Sequence, residues 1–305
     1  MRVHLLVNLL AGSGRARKAF EKTERLLAAS QIPYSVKISN YAGEMVSMAQ
    51  VTSDLLIDRP DEHLVVIGGD GSLNQALNGV KLSKNPDQPI CYLPSGTGND
   101  FARGANLSTE PARIVAALQT PRVQPTDCIY YENLKTGTSG YFVNNLGIGF
   151  DAYVVQKSNH SPLKKELGHL IYGVNVLSAL KHQHTFPVKV IENGHSHEFD
   201  DAFLLTTTNH PFFGGGVRIL PQTNPFNRKI AVIVIQKPKA GMFMRAAGHL
   251  VTDGQHVKYP FFHYYFADEV QVANGKHEFG QLDGEELGQH AFEFKFKISK
   301  FNLLV

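Results

Sequence analysis

Short apolar runs alternate with longer segments of helical spacing along the first third of the chain. A short apolar run is typical of a strand buried on both faces, and helical segments between such runs complete strand–helix–strand units. The pattern predicts a mostly parallel sheet covered by helices on both faces. The predicted strands are Val3–Val7, Ser35–Ile38, His63–Ile67 and Ile90–Leu93, and the predicted helices are Arg17–Ala29, Glu44–Ile57 and Leu73–Val80.

Beyond about Cys128 the helical spacing gives way to strand-like runs. Phenylalanines at alternate positions near the C-terminus are separated by charged residues, which is typical of a strand with one buried and one solvated face. Asn193-Gly194 is a type I′ hairpin signal. The pattern predicts an antiparallel β-sandwich. The predicted strands are Tyr141–Asn145, Pro187–Ile191, Ala202–Thr208, Ile230–Gln236 and Phe292–Ile298.

One segment of this second region departs from the strand pattern. Leucine, isoleucine and valine recur at helical spacing between Leu163 and Leu180, and lysines flank them. The spacing predicts an amphipathic helix that packs on its own sheet, and a membrane-facing helix is the alternative.

Length and composition narrow the class of protein. The 305 residues favour two domains, and 43% hydrophobic residues favour a globular chain. A net charge of +3 without a block of like charges argues against nucleic-acid binding. Two cysteines without CxxC spacing fit a reducing cytosol, and no segment reaches the ~18 apolar residues of a membrane span. We therefore expect a cytoplasmic protein whose contact with lipid is peripheral.

Glycine-rich turns follow three of the predicted strands. Glycine permits backbone torsions that direct successive N–H groups into one concavity, and Gly68-Gly69-Asp70-Gly71 does so before a helix, where anions bind. Asp70 would meet phosphate repulsion there, so it is interpreted as a Mg²⁺ ligand or as a proton acceptor. The other two turns contain Gly12 and Ser95. Neither the P-loop nor the dinucleotide fingerprint is present.

The motifs together resemble a known family. The segments Gly68–Asn74, Pro94–Ala102, Asn144–Ala152 and Leu282–Glu285 resemble the soluble bacterial diacylglycerol kinases, relatives of sphingosine and ceramide kinases. The resemblance implies a Rossmann-like, three-layer α/β domain that binds ATP over residues 1–127. It further implies an antiparallel β-sandwich that binds the lipid over residues 128–290 and closes over the ATP, with residues 291–305 returning to the first domain.

The resemblance also implies roles for individual residues. Asp283 matches the proposed base for the lipid hydroxyl, but Asp70 matches the base assigned in the sphingosine branch, so both stay candidates. Asp70 and Glu285 are the expected metal-side residues. The expected nucleotide contacts are Asn8, Gly12, Ser13, Ser39, Gly68, Gly69, Asp70, Gly71, Ser72, Asn74, Ser95, Gly96, Thr97 and Glu285, and Asn99 and Asp100 are expected beside the substrate cleft.

Several positions depart from the family pattern. Leu9 replaces the usual proline after Asn8, Ser39 stands where a threonine is common, and Gln75 replaces a common glutamate. Asn227-Arg228 stands where many relatives carry Asp-Gly. That aspartate belongs to a structural magnesium network in those relatives, and asparagine lacks its charge.

The resulting hypothesis is a kinase that uses ATP and Mg²⁺ to convert diacylglycerol to phosphatidic acid. We expect it at the cytoplasmic membrane face, attached peripherally, with a homodimer as an assembly to be tested. Kinases of other lipid alcohols, NAD kinase and a non-catalytic nucleotide or lipid sensor are the alternatives. The Pro94–Arg103 motif and Asp283-Gly284-Glu285 argue against NAD kinase.

Overall fold

The computed structural model describes residues 1–159 and 183–305. The helix predicted between Leu163 and Leu180 lies outside the described residues. No described helix has both the length and the apolar character that crossing a membrane requires.

The first region alternates strands and helices as predicted. Each predicted element is present, most of them extended by one to three residues. The observed elements are β1 (Arg2–Val7), α1 (Arg15–Ala29), β2 (Tyr34–Ile38), α2 (Glu44–Leu55), β3 (Glu62–Gly68), α3 (Asp70–Leu82), β4 (Ile90–Pro94), α4 (Asp100–Gly104) and α5 (Pro111–Gln119).

Strands β2, β1, β3 and β4 pair in parallel in that order. Successive residues of β3 face opposite sides, so Leu64 packs with α2 and α3, whereas Val65 packs with α1 and α5. Both faces of the sheet are therefore buried, and the predicted three-layer architecture is confirmed.

The second region is dominated by antiparallel strands. Strands β7, β8, β9, β12 and β14 enclose an apolar core that includes Phe294 and Phe296. The observed elements are β5 (Val123–Asn133), β6 (Ser139–Phe142), β7 (Asn145–Gly149), α6 (Phe150–Asn159), β8 (Phe186–Glu192), β9 (His195–Thr208), β10 (Phe212–Phe213), β11 (Val217–Arg218), β12 (Ile230–Gln236), α7 (Ala240–Val251), β13 (Phe262–Ala267), β14 (Glu269–Asn274), β15 (Glu278–Leu282), β16 (Glu285–His290) and β17 (Glu293–Leu304).

A long ladder joins the two regions. Strands β5 and β17 pair from Asn133 and Phe294 at one end to Val123 and Leu304 at the other. Strand β17 also pairs with β4 at Leu303. Its last residues therefore pack in the core of the first region, whereas its first residues pack in the sandwich.

One predicted strand is wrong in its bounds. Residues 141–145 do not form a single strand, because β6 ends at Phe142 and β7 begins at Asn145. The backbone of Val143 and Asn144 instead turns toward the side chain of Asp283. By contrast, Asn193 and Gly194 have the positive φ angles, 49° and 82°, that a type I′ hairpin turn needs.

Candidate active site

The three glycine turns pack directly against one another at one edge of the parallel sheet. The Ser95 N–H donates to the Gly68 carbonyl at 2.7 Å. A Cβ atom on Gly96 would lie 2.5 Å from the Gly69 Cα, and one on Gly12 would lie 2.1 Å from the Ser95 carbonyl oxygen. Side chains cannot be placed at such distances, so only glycine lets these turns approach so closely.

The backbone torsions correct one expectation about the second turn. Gly69 has a φ of −91°, and Gly71 lies inside α3, so neither adopts a torsion reserved for glycine. Left-handed torsions occur instead in the first turn, at Gly12, Ser13 and Gly14, whose φ angles are 63°, 53° and 93°. Gly68 and Gly69 are therefore required by space rather than by torsion, whereas a Cβ atom on Gly71 would meet nothing within 4 Å.

A pocket of about 400 Å³ opens where the turns meet. It lies at the N-terminus of α3, whose first N–H groups have no partner within the helix and attract anions. Asn8 ties the first turn to this helix, because its Nδ2 donates to the Ser72 Oγ at 3.2 Å. The predicted nucleotide residues that line the pocket are Asn8, Gly12, Ser39, Gly69, Gly71, Ser72, Gly96, Thr97 and Glu285.

Other predicted nucleotide residues do not line the pocket. They are Ser13, Gly68, Asp70, Asn74 and Ser95. Asn74 and Ser95 are buried, and their side chains bond within the first region: the Asn74 Oδ1 accepts from Asn78 at 3.1 Å. Asn74 and Ser95 therefore support the turns, whereas Ser13 is exposed.

Sequence reasoning missed several residues that line the pocket. Leu10 and Tyr41 are 81% and 67% exposed, so their apolar surfaces are open to a ligand. Asn40 and Met45 line the pocket as well. All four follow shortly after β1 or β2, and the carboxyl ends of parallel strands are where ligands bind, so that position was the available signal.

Asp70 is the first residue of α3 and faces a second acid. Its carboxylate accepts from the backbone N–H groups of Asp100 and Phe101 at 3.3 and 3.4 Å. Burial raises the pKa of Asp70 to about 6, the nearby Asp100 also raises it, and hydrogen bonds from backbone N–H groups lower it. A Cβ atom on Gly98 would lie within 3.6 Å of a carboxylate oxygen of each acid.

Asp100 is buried and bound on two sides. Its Oδ1 accepts from Arg103 Nη1 at 2.7 Å, and its Oδ2 accepts from the Gly215 N–H at 2.7 Å. Burial raises the pKa of Asp100 above its usual range. Asp100 thus connects the third turn, where Asn99 accepts from the Gly96 N–H at 2.8 Å, to a glycine segment of the second region. Both residues predicted for the substrate cleft hold the backbone there.

Asp283 enters from the hairpin between β15 and β16. The φ angles of Asp283 and Gly284 are 48° and 86°, as in a type I′ turn. The carboxylate accepts from the N–H groups of Asn144 and Asn145 at 3.0 Å and of Val143 at 3.2 Å. Burial nevertheless raises the pKa of Asp283 to about 7, and Asp70 raises it further. A carboxyl group with this pKa can exchange a proton near neutral pH.

A buried glutamine holds the same turn from behind. The Gln281 Oε1 accepts from the Gly284 N–H at 2.9 Å, and its Nε2 donates to the Asp151 Oδ2 at 2.9 Å. Asp151 and Gln281 are both buried. Gly147 leaves the space for this pair, since a Cβ atom there would lie 1.7 Å from the Asp151 Oδ2.

Glu285, two residues after Asp283, lines the pocket between the glycine turns. Its Oε1 accepts from Gln75 Nε2 at 3.3 Å, and the Gln75 Oε1 accepts from the Gly43 N–H at 3.2 Å. A glutamate in place of Gln75 would repel Glu285. The neutral amide instead joins the hairpin to the first region.

The carboxylates of the site fit a divalent cation bound together with phosphate. Among the described residues no three histidine, cysteine, aspartate or glutamate side chains form a metal cluster. Magnesium sites in kinases commonly use one or two carboxylates plus substrate phosphates and water. Asp70 and Glu285 could hold such an ion, and a cation would relieve the repulsion that raises the pKa of Asp70.

Arg228 occupies the position at which the sequence departs from Asp-Gly. Its backbone N–H and its Nη1 donate to the two carboxylate oxygens of Asp127 at 2.7 and 3.0 Å, and its Nη1 also donates to the Ser299 carbonyl at 3.0 Å. The arginine therefore neutralises the buried carboxylate of Asp127.

Both regions of the chain match known protein families. Residues 2–131 match the diacylglycerol kinase catalytic domain. Residues 144–305 match the YegS C-terminal NAD kinase beta sandwich-like domain. The chain belongs to the diacylglycerol kinase family of lipid kinases.

Individual members of this family are distant in sequence. A diacylglycerol kinase of Staphylococcus carnosus is 27% identical over 256 residues, which cover 82% of this chain and 79% of that protein. A diacylglycerol kinase of Staphylococcus saprophyticus is 26% identical over 263 residues, with the same coverage of 82% and 79%.

Solved structures share the fold of this family member. A diacylglycerol kinase from Bacillus anthracis str. Sterne superposes with a TM-score of 0.71 at 20% identity, covering 97% of this chain and 94% of that one. Yeast NADH kinase in complex with NADH superposes with a TM-score of 0.55 at 11% identity, covering 100% of this chain and 83% of that one. The fold is therefore shared with both of these structures.

Proposed function

We propose that this family member is an ATP- and Mg²⁺-dependent lipid kinase that transfers the γ-phosphate to the hydroxyl of diacylglycerol, giving phosphatidic acid. The observation that carries the proposal is the hairpin between β15 and β16. It directs Glu285 into the glycine pocket and holds Asp283 two residues away on backbone N–H groups. A nucleotide in the pocket would thus lie beside a carboxyl group able to take a proton.

Asp283 is the proposed general base, and its role is positional as well as chemical. Phosphoryl transfer depends mainly on orientation and charge neutralisation, so the base need only orient the hydroxyl and accept its proton as the bond to phosphorus forms. The N–H groups of residues 143–145 fix the carboxylate for this task.

Asp70 and Glu285 lie on the phosphate side of this arrangement. Magnesium bound there would neutralise charge on the phosphates. Backbone N–H groups at the start of α3 would bind the phosphate oxygens. Asp70 is less suited to be the base, because Asp100 lies beside it and its two hydrogen bonds, at 3.3 and 3.4 Å, are long.

An apolar cavity of about 410 Å³ favours a lipid as the second substrate. Ligand sites commonly have volumes of about 300–1,000 Å³. Phe261 and Phe262, where β13 begins, line it, and His256 is the one polar residue among its described lining residues. Phe213 and Val217 also line the cavity, and the glycine segment between them contacts Asp100. The cavity therefore lies close to the acids of the site.

A mixed-micelle assay tests the proposal directly. We expect purified protein with ATP, Mg²⁺ and dioleoylglycerol to form phosphatidic acid, measured by mass spectrometry. Sphingosine, ceramide, monoacylglycerol and NAD serve as competing acceptors in parallel reactions. Phosphorylation of another lipid alcohol alone would change the substrate, phosphorylation of NAD would assign a dinucleotide kinase, and no turnover with intact ATP binding would favour a sensor.

A further inference from the structure

Helix α7 forms one wall of the apolar cavity and is apolar around most of its circumference. Apart from Arg245 and His249, each of its 12 residues is apolar or glycine. Phe243, Ala246 and Leu250 line the cavity. A short helix that is apolar on more than one face must cover something besides its own core.

Two cavity residues of this helix are also open to solvent. Met244 and Val251 line the cavity, yet they are 65% and 77% exposed. They lie seven residues apart, which places them two turns from each other on the same side of the helix. The deep lining residues Ile219 and Phe262 are only 6% and 7% exposed. The mouth of the cavity therefore opens along Met244 and Val251.

Basic residues lie on and just before this helix. Arg245 is exposed, and so are Lys237 and Lys239 just before the first turn of α7. The Lys237 Nζ donates to the Gln183 carbonyl at 2.9 Å. The helix contains no acidic residue, and the nearest acid in sequence, Asp253, accepts from the His249 Nδ1 at 2.9 Å. Exposed apolar side chains beside basic ones fit an anionic lipid surface, which attracts the charges and accepts the apolar groups.

We propose that the α7 surface, defined as Met242, Met244, Arg245 and Val251, docks on an anionic lipid bilayer and directs an acyl chain through the mouth into the cavity. The delivery of a chain rests on the proposed lipid kinase activity. The docking itself does not, and it is measurable without ATP or turnover. Docking at this mouth would spare an acyl chain from crossing water between the bilayer and the cavity.

Vesicle co-sedimentation tests the docking. The wild-type chain is expected to bind vesicles of phosphatidylglycerol and phosphatidylcholine and to bind phosphatidylcholine vesicles more weakly. The double variant Met244→Glu/Val251→Glu is expected to bind the anionic vesicles at least about tenfold more weakly, because two apolar groups are replaced by anions. The matched control is Val51→Glu/Leu55→Glu, which makes the same change at exposed residues of α2, 58% and 43% exposed. The control is expected to bind as the wild type does.

Arg245→Glu gives a second measurement that does not depend on the stability of α7. We expect it to weaken binding to anionic vesicles about 30-fold, because the reversal removes an attraction worth about fivefold and adds a repulsion of similar size. Binding to neutral vesicles is expected to stay unchanged. Circular dichroism melting checks that each variant is folded.

Three outcomes would overturn the docking proposal. The first is a wild-type chain that does not bind anionic vesicles. The second is a folded α7 double variant that binds them as strongly as the control variant does. The third is an α7 variant whose main change is loss of a dimer in sedimentation velocity. The last would assign the surface to a second copy of the chain. Turnover of dioleoylglycerol is scored separately, so absence of kinase activity would refute the proposed function without touching the vesicle result.

Discussion

Asp70 and Asp283 are both held by backbone N–H groups, yet their surroundings differ. Asp70 accepts two long hydrogen bonds and lies beside another acid, Asp100. Asp283 accepts three shorter ones from a single stretch of chain. Carboxylates that lie close together repel each other and therefore favour a bound cation. A single carboxylate fixed by backbone N–H groups is instead suited to accept a proton. In the proposed function, this difference would assign Asp70 to the phosphate side of the site and Asp283 to the proton side.

The largest expected effect comes from Asp283. Asp283→Asn is expected to lower kcat by about 10³-fold, because an amide cannot accept the hydroxyl proton, while the Kd for ATP changes less than about twofold. Steady-state kinetics and calorimetric ATP titration measure the two quantities. Asp200→Asn, at an exposed acid of β9, is the control. Equal loss of ATP binding and turnover would remove the distinction between the two sides.

The phosphate side is tested by glycine substitution. Gly96→Ala places a Cβ atom 2.5 Å from the Gly69 Cα, so the turns must separate. We expect ATP affinity to fall at least about tenfold and stability to fall by about 1–3 kcal/mol. Gly71→Ala meets nothing within 4 Å and is expected to keep the wild-type melting temperature. If both variants melt alike, close packing is not the reason for these glycines.

The proton side is tested through Gln281. Gln281→Met removes the hydrogen bond to the Gly284 N–H and leaves Asp151 without its donor, so the turn that carries Asp283 loosens. We expect kcat to fall about tenfold with an unchanged KM for ATP. Faster amide hydrogen exchange over residues 279–286 would accompany it. Gln271→Met, which removes a glutamine bond to Glu293 at 3.0 Å, is the matched control.

The smallest effect concerns stability and pH. The pKa of Asp283 is about 7 in the folded chain and about 3.9 when unfolded, so the folded state binds this proton more tightly. The resulting stability is fully present below the unfolded pKa and is lost as pH rises toward 7. Asp70 contributes in the same direction. The melting temperature should thus fall between pH 5 and pH 8.

The Asp283→Asn variant separates this contribution from the others. Between pH 5 and pH 8, the free energy of unfolding should fall by at least about 1 kcal/mol less in this variant than in the wild type, because the variant lacks the titrating group. Calorimetry at several pH values measures both slopes. Parallel slopes would mean that Asp283 titrates normally and is not poised to accept a proton near neutral pH.

The strands and helices of the first region were predictable because their apolar pattern is set by burial on both faces. The break between β6 and β7 was not, since it depends on a carboxylate located 138 to 140 residues further along the chain. Likewise, glycine is needed at positions 69 and 96 because two separate turns contact each other there. The motifs indicated the candidate residues of the site. Only the packing shows which of them line the pocket and which support the turns.

The ladder between β5 and β17 limits how the molecule can move. Its continuous pairing from Val123 to Asn133 carries one strand pair through both cores, and Arg228 adds a bond from Asp127 to the Ser299 carbonyl. A rigid rotation of one region against the other would have to break this pairing. Nucleotide exchange is therefore expected to depend on local movement of residues 39–43 and of the hairpin that carries Glu285. The Gln75 amide bonds to both segments, so these two hydrogen bonds would have to open for the segments to separate.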